Sequence, residues 1–241
     1  MLNGGLAGRQ AGRYSLIAGL LAVALCGQVP SASLAATAAV ALGAGAGYEA
    51  RGTAELPNGE SGTAELEVWG AEHCRLTVDL SRPGRERSFV AERDGKQTRV
   101  RTTGIAAGGP LSGLGQALAG GRACLLLPQG MDWGALVSGA ANPVTASLDE
   151  STALPTTASW APPVHLSRTA SPPTPAAAVR YAEYESAGGI SFPASVMLTL
   201  GGVNRLALRW TSFAPRAFAE SDFALPLPPP HPRAAASGGA L

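Results

Sequence analysis

Few side chains in this sequence stand at spacings that could support catalysis or metal binding. The three histidines, His73, His165 and His231, lie far apart, and none belongs to a zinc spacing such as H-E-x-x-H. His73 directly precedes Cys74, so on a strand the two side chains point to opposite faces and cannot share a nucleophilic step. Neither zinc chemistry nor a Cys–His nucleophile is therefore indicated.

Two glycine-containing motifs also fall short of the catalytic patterns that they resemble. The segment GESG at 59–62 is one residue shorter than the G-x-S-x-G nucleophile elbow, and it lies in a hairpin turn. The segment GLGQAL at 113–118 lacks the third glycine of a dinucleotide fingerprint and has no parallel-sheet context. Both segments are interpreted as turn or surface sequence.

A pair of glutamates on one strand is the last candidate for acid–base chemistry. Glu183 and Glu185 alternate, so they share a face, whereas Tyr181 and Tyr184 fall on opposite faces by the same alternation. A solvated strand edge explains these residues better than a catalytic pair. We predict that the protein is not an enzyme and has no catalytic residues, metal site or cofactor.

Composition and charge narrow the class of protein. The 241 residues suit one domain of ordinary size, and the formal net charge of +1, without a separate basic block, excludes a bulk attraction to nucleic acid. Lys96 is the only lysine among 18 basic residues, which together with abundant Ala, Gly and Pro indicates a GC-rich coding bias.

The N-terminus has the pattern of an export signal. Two arginines precede the apolar run 16–26, which is short for a membrane span, and small residues then lead to Ala35. We predict a signal peptide over 1–35 with cleavage after Ala35. The alternatives are an uncleaved N-terminal membrane anchor or a lipoprotein signal ending at Cys26, where Leu25 replaces the small residue that usually precedes the lipidated cysteine.

Cleavage of the signal peptide would remove Cys26 and leave Cys74 and Cys124 as the two cysteines of the mature chain. A disulfide is permitted outside the cytoplasm, and two buried free thiols are the alternative. Sequence does not give the distance between their Cα atoms, which decides between them.

The mature chain alternates apolar and polar residues with period two, which predicts strands with one wet face. Turn residues divide the first half into an antiparallel meander with strands over 47–56, 62–70, 73–81, 86–93 and 96–103. Spaced leucines between 111 and 140 predict one or two short helices. Strand patterns return from Val144, and three further antiparallel strands are predicted over 180–186, 190–200 and 203–211.

Two Pro-rich stretches are predicted to lie outside the core. The first, 162–175, is expected to be a loop or linker, and the second, 227–241, is expected to be an extended, disordered tail. The single domain is therefore predicted over 47–226.

Several motifs together resemble the LolA/LolB superfamily of outer-membrane lipoprotein-sorting and carrier proteins. They are EVWG, RLTVDL and FVAERDGKQTRV in the first half, then DESTALP, YAEYESAGGISFP and a terminal FALP. The sequence departs from the family pattern over 128–143, where a strand pair is replaced by a short Gly/Ala-rich passage. The resemblance implies an α+β, mostly β fold, in which a curved antiparallel sheet forms an incomplete barrel covered by short helices.

The resemblance also implies a function and a site. It implies a monomeric periplasmic carrier whose apolar half-barrel cavity binds lipid or lipoprotein acyl chains, with an envelope protein as a further partner. The lipid-binding residues expected on the apolar strand faces are Leu66, Val68, Leu76, Val78, Phe89, Val196, Leu198, Leu206, Leu208 and Trp210. The alternative is a periplasmic protein-interaction or sensor module, in which the same residues form an ordinary filled core and no lipid binds.

Overall fold

The computed structural model describes residues 30–43, 45–95, 97–104, 114–131, 144–161 and 176–224. Most of the predicted signal peptide, the first Pro-rich stretch and the C-terminal tail lie outside the described residues. Within them, no helix is both long and apolar enough to span a membrane.

Ten strands form the body of the described part of the chain. They are β1 (Gly47–Glu55), β2 (Ser61–Trp69), β3 (His73–Asp79), β4 (Ser88–Asp94), β5 (Gln97–Thr103), β6 (Val144–Leu148), β7 (Pro155–Trp160), β8 (Ala177–Ala187), β9 (Ile190–Leu200) and β10 (Val203–Pro215). The period-two alternation therefore predicted the strands with bounds that differ by a few residues.

All ten strands pair antiparallel in one sheet of order β5-β4-β3-β2-β1-β10-β9-β8-β7-β6. Two five-stranded meanders, one from each half of the chain, meet where β1 pairs with β10. Among the described residues, the edge strands β5 and β6 do not pair with each other. The sheet is thus unclosed, which confirms the predicted mostly β fold with an incomplete barrel.

The inner face of the sheet is the face that carries Leu66, Leu76, Val196 and Leu208. Its cover is residues 114–131, here called the cover segment. This segment comprises helix α2 (Leu114–Leu118) and two 3-10 turns (Ala119–Leu126 and Pro128–Gly130). Helix α2 confirms the prediction of a short helix in this region. The larger part of the cover segment, however, is 3-10 and not α-helical.

Contacts of the cover segment show that the sheet is strongly curved. Cys124 is disulfide-bonded to Cys74 of β3, and the carbonyl of the next residue, Leu125, accepts a hydrogen bond from Tyr181 of β8. These strands are five spacings apart in the sheet, roughly 24 Å if it were flat, whereas consecutive Cα atoms are about 3.8 Å apart. The inner faces of β3 and β8 must therefore turn toward each other.

Two terminal segments complete the fold. Helix α1 (Pro30–Ala41) precedes the first strand, and its Ala38, together with Leu42 directly after it, is fully buried in the core. Both core residues follow Ala35, so cleavage at the predicted signal site would leave them in the mature chain.

The C-terminal segment crosses the outer face of the sheet and ends in helix α3 (Glu220–Phe223). Phe223 is 1% exposed and packs against Trp69 and His73 at ring distances of 6.5 and 5.6 Å. Arg75 Nη2 donates a hydrogen bond of 2.7 Å to the Asp222 carbonyl. The described C-terminal segment, as far as Phe223, therefore packs on the outer face of the sheet.

The disulfide gives a first testable prediction. The Cα atoms of Cys74 and Cys124 lie 5.4 Å apart, and the bond closes a loop between residues 50 positions apart. In the chain-entropy model this loop contributes about 4 kcal/mol to the free energy of unfolding. Thiol titration of the unfolded, unreduced mature protein should find no free sulfhydryl, and a Cys124→Ala control should expose the single thiol of Cys74. Two free thiols in the unmodified chain would contradict the pairing.

Candidate functional site

The ten residues expected to bind lipid all lie on the inner face. Cross-strand register pairs Leu66 with Leu76 and Val78 with Phe89 in the first meander. It pairs Val196 with Leu208 in the second, where Leu198 and Leu206 also pair. All ten are at most 2% exposed. The structure thus brings the predicted residues onto one apolar surface and covers that surface.

The predicted residues form two groups, and small side chains lie between them. The first group belongs to β2–β4 and the second to β9 and β10, with β1 separating the two. Ala50 and Ala54 of β1 are fully buried, and they pair with Leu66 and Leu208 respectively. Two large apolar groups therefore flank an alanine strip at the centre of the sheet. This strip was not predictable from the sequence, because alanines are common throughout the chain.

The cover segment presents apolar side chains to the core. Its buried residues include Leu114, Leu118, Leu125, Leu126, Leu127 and Met131. Burial of leucine side chains contributes roughly 1.5–3 kcal/mol each relative to exposure. Apolar contact is therefore the main interaction that holds the cover segment on the sheet.

Three side-chain hydrogen bonds position the cover segment against the second meander. Trp160 Nε1 donates to the Ala117 carbonyl at 2.9 Å, and Tyr181 Oη donates to the Leu125 carbonyl at 2.5 Å. Gln129, which is fully buried, donates from Nε2 to the Ser191 carbonyl of β9 at 2.8 Å. Sequence reasoning missed these contacts, because each joins residues more than 40 positions apart.

Burial keeps the hydroxyl of Tyr181 protonated. Desolvation raises the pKa of Tyr181 well above its ordinary value, and the nearby Tyr184 raises it further. Tyr181 is consequently a neutral hydrogen-bond donor throughout the physiological range, and no catalytic proton transfer is assigned to it.

An aromatic stack lies at one end of the inner face. Phe213 of β10 stacks on Tyr48 of β1 and on Phe192 of β9, with ring centroids 4.9 and 4.6 Å apart. Tyr48 Oη also donates a hydrogen bond of 3.0 Å to the Gly43 carbonyl. The stack ties the end of the sheet to the segment that follows helix α1.

Tyr181 and Tyr184 line the same shallow cleft. The cleft has a volume of about 220 Å³ and is also bordered by the turn that begins at Asp149. Glu183, between the two tyrosines, has φ of 54°, so the extended backbone on which strict alternation depends is interrupted there. The register of β8 with β9 nevertheless continues without a shift, since Ala182 pairs with Ser195 and Tyr184 pairs with Pro193. The placement of the two tyrosines on opposite faces therefore stays a prediction. Glu183 itself forms an ion pair with Arg209 at 2.8 Å, which fits the solvated role expected for it.

The Asp149 turn gives a second prediction. Asp149 Oδ1 accepts hydrogen bonds from the hydroxyl and amide of Ser151 at 2.6 and 3.0 Å, and from those of Thr152 at 3.0 and 2.9 Å. These bonds, the Ser151 hydroxyl first, lower the pKa of Asp149 to about 2. The stability that the ionised carboxylate contributes is complete above about pH 4, the ordinary aspartate range, and is lost as the pH falls through 2.

A carboxyl-detected NMR titration should therefore give Asp149 a midpoint of about 2. The Ser151→Ala variant should raise that midpoint, because the strongest donor has been removed. A wild-type midpoint near the ordinary aspartate value would contradict the turn geometry.

Among the described residues, the outer face carries a cluster of three glutamates whose carboxylates are close enough to bind a metal ion. The carboxylate oxygens of Glu49, Glu65 and Glu67 lie within 4.8 Å of one another. However, Arg216 Nη1 lies 2.7 Å from Glu49 and 2.6 Å from Glu67, while Arg51 Nη2 lies 3.1 Å from Glu65. Each of the three carboxylates contacts an arginine, so the cluster is interpreted as an ion-pair network.

His73 and Cys74 occupy opposite faces, as strand alternation predicted. His73 Nε2 lies 3.6 Å from Asp94 on the outer face, whereas Cys74 is buried in the disulfide on the inner face. The structure therefore does not bring the imidazole and the sulfur together.

Comparison with known proteins concerns the fold. The chain is similar to the crystal structure of a LolA superfamily protein from Nitrosomonas europaea, with a TM-score of 0.47 and 10% sequence identity. The match covers 82% of this chain and 98% of that chain. No family model and no curated protein matches the sequence. At this similarity, the properties of the site must be taken from the chain's own residues.

Proposed function

We propose that the protein is a non-catalytic carrier that binds acyl chains of lipids or lipoproteins between the inner face and the cover segment. The observation that carries the proposal is the pairing of an extensive apolar inner face with a short, irregular cover. The two large apolar groups flank Ala50 and Ala54, whose small side chains leave depth for a chain-shaped ligand once the cover segment moves.

The cover segment is suited to such a movement. A five-residue helix and 3-10 turns have little stability of their own, since short helices are marginal without tertiary packing. The disulfide keeps Cys124 on β3, whereas the other side is held by the hydrogen bonds of Trp160, Tyr181 and Gln129. The segment can therefore detach from the second meander while it stays attached to the first.

An acyl chain can replace the contacts that the cover segment gives up. Each buried methylene contributes roughly 0.8 kcal/mol, so a long chain supplies apolar contact comparable to that of several leucines. The leucines of the cover segment would then pack on the bound chain instead of on the sheet. Binding is thus an exchange of apolar surfaces and requires no catalytic group.

We further propose that the protein acts in the periplasm. The Cys74–Cys124 disulfide suits an oxidising compartment, and the N-terminal pattern predicts export. Partners of the proposed carrier would be lipid or lipoprotein acyl chains and an envelope protein that delivers or receives them.

One observation favours a second candidate function. The ten expected lipid-binding residues are at most 2% exposed, which is also what a permanently filled core would show. In that case the protein would be a periplasmic interaction or sensor module that binds a protein partner on its surface and takes no lipid.

A binding titration separates the two candidates. A fluorescent long-chain fatty acid added to the oxidised mature protein should show saturable binding at one site, and the unlabelled fatty acid should displace it. Reduction of the disulfide should speed binding, because the cover segment is then released at β3 as well. A complete lack of saturable binding in both redox states would exclude the carrier and favour the interaction module.

A further inference from the structure

Two tryptophans on the inner face differ in how their indole N–H groups are satisfied. Trp160 and Trp210 are each 2% exposed. Trp160 Nε1 donates to the Ala117 carbonyl at 2.9 Å. Trp210 Nε1 is buried and has no hydrogen-bond partner among the described residues. Trp210 therefore holds an unmatched donor inside the apolar core.

An unmatched indole donor in this position is unfavourable for the ligand-free protein. The indole N–H can only donate, and buried tryptophans usually find an acceptor. Leaving a buried donor unsatisfied costs free energy, whereas phenylalanine would fill the same place with no polar atom. The presence of tryptophan here points to an acceptor that a ligand supplies.

Trp210 lies within the proposed acyl site. On β10 it follows the inner-face residues Leu206 and Leu208 with the same alternation, and across the strand pair it faces Gly52 of β1. A second buried polar atom, Gln129 Oε1 of the cover segment, also has no partner among the described residues. The described core thus holds an unmatched donor on the sheet and an unmatched acceptor on the cover segment.

We propose that Trp210 Nε1 donates a hydrogen bond to the carbonyl oxygen of the bound acyl group. The ligand is then an acyl ester or amide whose carbonyl enters the protein with the chain, rather than a plain hydrocarbon tail. This inference rests on the proposed carrier function, and it adds the chemical class of the ligand.

Displacement of the fluorescent fatty acid by two competitors tests the proposal. The competitors are a long-chain methyl ester and the alkane of the same length, measured with wild type, Trp210→Phe and Trp160→Phe. One hydrogen bond is worth about fivefold in affinity. We expect Trp210→Phe to weaken the ester about fivefold relative to the alkane, whereas Trp160→Phe should change both competitors to the same extent.

Infrared spectroscopy supplies a readout that a packing defect alone would not imitate. With a ¹³C-labelled ester carbonyl, the bound ligand should absorb at lower frequency in wild type than in Trp210→Phe. Equal ester and alkane responses with an unshifted carbonyl band would overturn the inference while leaving the carrier intact. Failure of the fluorescent fatty acid and both competitors to bind wild type would instead remove the proposed function itself.

Discussion

Replacement of Leu208 by glutamate is expected to abolish fatty-acid binding while the ten-stranded sheet stays folded. Leu208 is 2% exposed and lies between Val196 and Ala54 in the cross-strand register. A carboxylate beside a bound acyl chain would have no partner, which is strongly unfavourable in an apolar environment. In a carrier the introduced carboxylate can reach water once the cover segment lifts, so the lost stability is limited to the cost of opening.

A filled core gives a different outcome for the same variant. There the charge has no route to water, and burial of an unpaired carboxylate costs several kcal/mol. Thermal unfolding and fatty-acid titration should be measured on Leu208→Glu together with Ser212→Glu, which adds the same charge at an exposed position of the same strand. Collapse of the Leu208→Glu fold, with Ser212→Glu unaffected, would argue for the filled core.

Replacement of Gly52 by alanine is expected to cause a large loss of stability. Gly52 lies at the irregularity in the pairing of β1 with β10, where the two meanders join. A Cβ at this position would approach the Arg209 carbonyl oxygen and the Trp210 Cα, closer than backbone atoms allow, so the strands would have to separate. We expect the free energy of unfolding to fall by about 3 kcal/mol, which is the upper end of the usual range for an overpacked site.

Gly115 provides a matched control for this change. Its added Cβ would meet only Val100 Cγ1, at the ordinary contact distance of 3.4 Å, and alanine favours the helix in which Gly115 lies. Urea unfolding should therefore show Gly52→Ala far less stable than wild type and Gly115→Ala nearly unchanged. A Gly52→Ala variant within about 0.5 kcal/mol of wild type, the range of ordinary surface substitutions, would show that the two meanders are not joined as described.

The strand pattern was predictable from the sequence because alternation is a local signal. The runs around Leu66 and Leu76 alternate with charged neighbours, and glycine turns divide them, so the meanders and the inner-face residues followed directly. The junction of β1 with β10 was not predictable in this way. It joins residues about 160 positions apart, and neither strand has a local sequence pattern that identifies its partner strand.

The cover segment was only partly predictable for a related reason. Its leucines indicated helical structure, but its glycines weaken an α-helix. The observed 3-10 turn at Ala119–Leu126 makes long-range contacts with Tyr181 and Cys74, which the sequence pattern does not show. The unmatched indole N–H of Trp210 was likewise not predictable, since the lack of a partner becomes visible only when the neighbouring residues are placed. Alternation placed its ring on the inner face, but it gives no information about hydrogen bonds.

Mass spectrometry of an organic extract tests the carrier most directly. The protein should be purified from the cell envelope without detergent, unfolded, extracted with solvent and compared with the Leu208→Glu variant treated in parallel. We expect acyl lipids in near-stoichiometric amount from the wild type and little from the variant. A wild-type extract that contains no more lipid than the variant, from protein that is folded and disulfide-bonded, would contradict the proposal that the inner face binds acyl chains.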